Sequence, residues 1–184
     1  MSEAVSIPEA KPLIKLDLGC GPNKQAGHVG VDIRQFDDKV DVVADLTQPW
    51  PWEDNSVESV HCSHNIEHYT AEERIHFVNE LWRVLKPDGK ALVIVPHWCS
   101  NRAYGDLTHK WPPVSEMWFY YLNKDWRAGN APHNDKYTCH FDASWNYSIH
   151  PAIIPRNAEF QQHAMAWYKE VAQDIIATLV AKKG

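Results

Sequence analysis

The sequence predicts an α/β fold built on a mostly parallel sheet, and three observations carry that prediction. Short apolar runs at 13–18, 29–33, 40–44, 57–62 and 90–96 alternate with polar connections, which is the pattern of strands separated by crossovers. The first run leads into Leu16-Asp17-Leu18-Gly19-Cys20-Gly21-Pro22, where two glycines let backbone approach a ligand without Cβ obstruction. Asp32, eleven residues beyond Gly21, closes the second run. A carboxylate at such a strand end can accept both hydrogen bonds of a ribose diol, so an adenosine-containing cofactor is the first expectation.

Size and composition point to one core. The chain has 184 residues, 44% of them hydrophobic, enough for a single domain over 13–184. Residues 1–12 are polar and carry Pro8 and Pro12, and they read as a flexible N-terminal arm. No apolar run approaches the roughly 18 residues of a spanning helix, and no charged-then-apolar leader is seen, so a cytoplasmic protein without membrane partners is expected. Cys20, Cys62, Cys99 and Cys139 include no Cys-x-x-Cys pair and read as free thiols.

The glycine loop is not of the dinucleotide type. Lys24 stands where a third glycine would be, and Asp32 follows Gly19 by thirteen residues, whereas the dinucleotide fold places its ribose acid about 20 residues on. The short stretch between the first two strands leaves almost no room for a crossover helix, which normally needs about 10 to 12 residues, so a turn is expected there. Thr70-Ala71-Glu72-Glu73 is a capping box, and Ile75, Val78, Leu81, Trp82 and Leu85 recur at helical spacing behind it. Pro87-Asp88-Gly89 stops that helix and turns the chain into the next strand. Beyond Pro155, the spacing of Phe160, Ala164, Trp167, Val171, Ile175 and Leu179 predicts a long amphipathic C-terminal helix over 158–182.

These residues resemble the class I S-adenosylmethionine-dependent methyltransferases, in particular a small type-11-like subgroup with an Asp-x-Gly-x-Gly-Pro loop. The likeness continues through Asp45-Leu46, through Ser63-His64-Asn65-Ile66-Glu67-His68, and through Leu81 to Lys90, covering residues 13–97 in order. It implies a Rossmann-like sheet and S-adenosylmethionine as cofactor. It also implies a cofactor site of Asp17, Gly19, Cys20, Gly21, Asp32, Asp45, Leu46 and Asn65, with Asp45-Leu46 at the adenine. The shortened first crossover departs from the family pattern and frees Asn23, Lys24 and Gln25 to contact the cofactor's carboxylate.

The implied chemistry is displacement at a sulfonium methyl, which needs alignment more than acid–base machinery. A general base is required only for an acceptor protonated at neutral pH. The candidates lie just beyond the fifth strand: His97, expected near the transferred methyl, with Asp106 and His109 able to return toward it. The alternative for Asp106 and His109 is loop bracing through backbone hydrogen bonds. His61, His64 and His68 invite a metal reading, as does the set His97, Asp106 and His109, but the reading adopted is a site without metal.

Residues 98–150 form an acceptor-side cap rich in aromatic residues, of which Trp98 and Tyr104 are the expected ligand contacts. Five basic residues in 98–147 face five acidic ones, and the whole chain carries −6, which excludes extended duplex nucleic acid as partner. The acceptor is therefore a small molecule, a single base or a short segment. The apolar face of the C-terminal helix suggests a homodimer. The reading from another class is a cofactor-binding regulatory or interaction module without transferase activity; a third is different chemistry on the same sulfonium.

Overall fold

The computed structural model describes residues 13–184, so the expected arm over 1–12 lies outside the described residues. These form a seven-stranded sheet in the order β3-β2-β1-β4-β5-β7-β6. β1 (Ile14–Leu18), β2 (Val29–Asp32), β3 (Val42–Val43), β4 (Val57–Ser63) and β5 (Leu85–Pro96) are mutually parallel. β7 (Ala172–Ala181) runs antiparallel between β5 and β6 (Phe141–Ile149). The mostly parallel α/β sheet expected from the sequence is present.

One face of the sheet holds the core. Leu16, Leu18, Val60, Cys62, Ala91, Val93, Ala177 and Leu179 are buried there in register. The same core takes in Phe77, Val78, Leu81 and Val84 of the helix α1 (Ala71–Val84). Thr70 caps that helix reciprocally with Glu73, so the capping box forms as read. The opposite face carries Lys15, His61, Leu92 and Thr178 and stays partly open, with Leu92 37% exposed. No helix among the described residues joins β1 to β2: that crossover is a pair of turns, as its length requires.

Two segments differ from expectation. The helix predicted over 158–182 ends at Trp167 as α5 (Ala158–Trp167), and the chain then turns through Glu170, whose φ is +65°, into β7. Val171, Ile175 and Leu179 are four residues apart, a spacing that shares one face in a helix and in a strand alike, because four is two strand periods. The run Ile175-Ile176-Ala177-Thr178-Leu179-Val180 then finds hydrogen-bonding partners on both sides, and pairing decides for the strand. The homodimer expectation rested on that long helix and loses its basis.

The cap over 98–150 is likewise not wholly a cap. Its last part is β6, the edge strand, in which Phe141, Ala143, Trp145 and Tyr147 alternate onto the core face. The remainder holds three short helices, α2 (Arg102–Gly105), α3 (Glu116–Tyr120) and α4 (Lys124–Asn130). β5 also begins five residues earlier than predicted, with Pro87-Asp88-Gly89 absorbed as a register shift in which Asp88 takes φ +58°. All four cysteines are free, and no helix among the described residues is long and apolar enough to cross a membrane.

Candidate functional site

A cavity of about 430 Å³ opens at the C-terminal ends of β1, β2 and β4, within the range of small-molecule sites. Of the eight predicted cofactor residues, Gly19, Asp32, Asp45, Leu46 and Asn65 line it. Gly19 adopts φ +67°, and a Cβ there would stand 2.5 Å from Asn65 Cγ, so the glycine loop and the residue after β4 close on each other only because Gly19 is glycine. Asn65 in turn donates to the Tyr69 hydroxyl at 2.9 Å.

Asp32 sits where β2 ends. Its Oδ2 accepts the Gly21 N–H at 2.9 Å, whereas Oδ1 has only the Arg34 N–H at 3.3 Å. One carboxylate oxygen is thus pinned to the glycine loop and the other retains accepting capacity toward the cavity it lines. Asp45 accepts both the Thr47 N–H and hydroxyl on Oδ1, and these bonds hold its carboxyl below the usual carboxylate range. A glycine cradle, an acidic residue at the end of β2 and a second after β3 fit an adenosine-bearing cofactor.

The other three predicted residues are not among those that line the cavity. Asp17 is 2% exposed, with Oδ1 2.6 Å from His61 Nδ1 and Oδ2 accepting the Gln25 N–H at 2.8 Å. Both of its oxygens are engaged, so it shapes the loop rather than facing a ligand. Cys20 turns its thiol toward the Lys39 carbonyl, and burial together with Asp17 and Asp32 pushes that thiol up to about 11. Gly21 spends its N–H on Asp32. Lys24, expected near the cofactor's carboxylate, is held by Asp41 at 2.9 Å.

The three catalytic candidates do not assemble. His97 is 5% exposed at the end of β5, its Nε2 2.8 Å from Glu116 Oε1 and its Nδ1 3.0 Å from Cys99 Sγ. It lines a second cavity of about 560 Å³ with Trp98, Glu116, Tyr147 and Trp167, which shares no lining residue with the first. Burial alone would raise the Glu116 carboxyl, but hydrogen bonds from His97, from its own N–H and from Tyr147 hold it down at about 2. His109 lies elsewhere, its ring edge-on to His68 at 4.8 Å between centroids, and His68 lines the first cavity. Asp106 accepts from Thr108, whose N–H and hydroxyl keep its carboxyl low, and its Oδ2 is 4.0 Å from His109 Nε2. The chain leaves β5 at His97 and travels through α2 before His109, which carries the two imidazoles to different cavities. Of the two expected aromatic contacts, Trp98 lines the His97 cavity, whereas Tyr104 lies beside Asp106 and His109.

Sequence reasoning missed Tyr69, Thr47 and Lys110 in the first cavity and Glu116 in the second. Tyr69 had a local signal, four residues beyond Asn65. Lys110 arrives by loop folding alone, and Glu116 by the short helix α3 that follows the same loop, where no periodicity marks which cavity is reached.

Residues 16–93 match the family model described as a methyltransferase domain. Among solved structures, the chain is similar to a SAM-dependent methyltransferase from Archaeoglobus fulgidus at 19% identity, covering 94% of this chain and 86% of that one, with a TM-score of 0.64. It is similar to a chain of the complex between the Haloferax volcanii Trm112 methyltransferase activator and a methyltransferase (18% identity, 96% and 85% covered, TM-score 0.58). It is also similar to the Burkholderia thailandensis 1,6-didemethyltoxoflavin-N1-methyltransferase, solved with 1,6-didemethyltoxoflavin and S-adenosylhomocysteine (11% identity, 94% and 72% covered, TM-score 0.57). No curated protein sequence matches the chain. The matched segment and the shared fold bear out the resemblance to the class I S-adenosylmethionine-dependent methyltransferases.

Proposed function

We propose that this chain is a methyltransferase that binds S-adenosylmethionine in the cavity between Gly19, Asp32, Asp45 and Asn65 and acts on a small molecule, a single base or a short segment. The observation that carries the reading is the half-engaged carboxylate of Asp32, a cavity-lining residue: Oδ2 is taken by the Gly21 N–H, and Oδ1 keeps accepting capacity that suits a ribose hydroxyl. Asp45 and Leu46 hold the adenine end, and the Asn65–Tyr69 pair forms the wall next to it. When bound, the cofactor supplies an activated sulfonium methyl, and the protein's task is to exclude water and align the acceptor with it.

A compact acceptor is favoured by charge. The segment 98–147 has no net charge with which to track a phosphate backbone. His68 and Lys110 line the cavity, and His109, which lines a separate hollow with Lys110, reaches it only through its ring contact with His68; on this reading His109 is the catalytic candidate for an acceptor entering there. His97 belongs to the neighbouring aromatic cavity and acts, on this reading, in acceptor selection.

Calorimetric titration of S-adenosylmethionine and S-adenosylhomocysteine into the wild type and a folded Asp32→Ala protein tests the site. Binding by the wild type that is lost with Asp32 is expected; no binding of either ligand by the wild type sinks the reading.

A further inference from the structure

Glu67, His68 and His109 each bring one ligating atom to a common point, all within 4.8 Å of one another. We propose that they form a binding site for a divalent first-row transition-metal ion at the rim of the candidate cofactor cavity.

The hydrogen bonds fix what each group offers. Thr108 has a single hydroxyl hydrogen and donates it to Asp106 Oδ1 at 2.7 Å. His68 Nδ1, 3.0 Å from the same hydroxyl oxygen, must therefore be the donor, which leaves the lone pair on Nε2. His109 Nδ1 lies 3.2 Å from the Ala103 carbonyl oxygen, which can only accept, so its lone pair is also on Nε2. Both imidazoles are held in the tautomer and orientation that metal-ligating histidines adopt, with the far nitrogen hydrogen-bonded to a carbonyl or to a hydroxyl backed by a carboxylate.

The carboxylate supplies the second line of argument. Glu67 is 4% exposed, and although Oε1 is 3.2 Å from His64 Nδ1, Oε2 is buried without a hydrogen-bond partner. A buried carboxylate oxygen left without a donor is costly, and a cation is the partner that repays the desolvation. Two imidazoles and one carboxylate are a donor set suited to manganese, iron, cobalt, nickel or zinc rather than to calcium.

The surroundings are rigid. Arg74, buried between the two segments, donates to the carbonyls of Ile66, Glu67, Lys110 and Pro112, and the Lys110 N–H donates to the Glu67 carbonyl at 2.8 Å. The turn bearing Glu67 and His68 is thereby fastened to the loop bearing His109 before any ion arrives. Asp106 Oδ2, 4.0 Å from His109 Nε2, is a further carboxylate oxygen beside the site. Three protein donors leave positions for water or for an acceptor oxygen entering from the cavity that His68 lines. That last role rests on the proposed cofactor site; ion binding does not.

The test is titration of cobalt(II) into the chelator-treated full-length chain without S-adenosylmethionine, read by visible d–d absorption and calorimetry. One saturable site is expected in the wild type and in a His163→Ala control, with the site lost in His68→Ala and His109→Ala. Thr108→Val, which keeps all three ligands, should weaken binding about 10- to 100-fold. Circular dichroism confirms folding, and Glu67→Gln supplies a third ligand variant should one histidine variant fail to fold. Absence of a saturable site in the wild type, or equal binding by the His68→Ala and His109→Ala proteins, overturns the proposal. Because the titration contains no cofactor, a chain that binds S-adenosylmethionine but no cobalt refutes this inference alone, and one that binds cobalt but no S-adenosylmethionine refutes only the cofactor reading.

Discussion

Asp17 on β1 and His61 on β4 meet at 2.6 Å in the interior, and the same carboxylate takes the Gln25 N–H from the turn beyond the glycine loop. One buried side chain therefore joins two strands and the segment that stands in place of a crossover helix. No helix among the described residues holds the glycine loop from behind: its N–H groups bond directly to the Val31 carbonyl and the Asp32 carboxylate, and Asp17 anchors the strand before it and the turn after it. Asp17→Ala leaves a partly buried imidazole and a backbone N–H without their acceptor, and a loss of about 2 kcal/mol is expected in urea unfolding. Cofactor affinity should fall with it although Asp17 does not line the cavity; an unchanged unfolding midpoint would contradict this account.

The two loop glycines are not equivalent. Both have positive φ, but an added Cβ at Gly19 meets Asn65 Cγ at 2.5 Å, whereas at Gly21 it meets nothing within 4 Å. Gly21→Ala is expected to cost only the strain of a left-handed non-glycine residue, about 1 kcal/mol. Gly19→Ala must also displace Asn65, and with it the bond to Tyr69, so its loss of ligand affinity should be the larger of the two. Comparing the two variants in the same S-adenosylhomocysteine titration checks the order.

Arg74 satisfies four backbone carbonyls from two segments while almost wholly buried. Replacing it by Met keeps the apolar stem and strands those acceptors, so Arg74→Met should destabilise the chain by about 3 kcal/mol. Hydrogen exchange should show the loosening concentrated around Lys110, where the loop is fastened; uniform exchange across the sheet would speak against a local fastening role.

What could be read in the sequence was what depends on near neighbours. The Thr70 capping box, the two-glycine turn and Asp32 at its strand end are each written within a few residues, and all three stand as expected. The error over 158–182 arose because a four-residue spacing is silent between helix and strand, and strand pairing with β5 and β6 settled it. Phe141, Ala143, Trp145 and Tyr147 alternate along β6 as a half-buried strand requires, a signal masked in the sequence by the aromatic content of 98–150, which reads as a cap. Of the site, the residues that end strands were legible. Those delivered by the loop from 97 to 116 were not, because which cavity His97, His109 or Glu116 reaches depends on the path of a segment with little regular structure.

Glu116 offers a pH test of the second cavity. Its carboxyl stands at about 2 against an ordinary 4.5, because the bonds from His97, its own N–H and Tyr147 outweigh the opposing effect of burial. A carboxyl lowered in the folded state contributes its full stability above the unfolded value and loses it as pH falls toward the folded one. The wild type should therefore lose about 2 kcal/mol from this group as pH drops from 4.5 to about 2. Glu116→Gln removes the charge that favours the folded state, so its stability should be lower than wild type at neutral pH and the two should converge in acid. Urea midpoints at about pH 6, 4 and 3 measure the convergence, since the difference between the proteins cancels the other carboxylates. Parallel curves would mean that His97 and Tyr147 do not hold the Glu116 carboxylate in solution, and the His97 cavity would then lack the fixed polar wall on which its proposed part in acceptor selection depends.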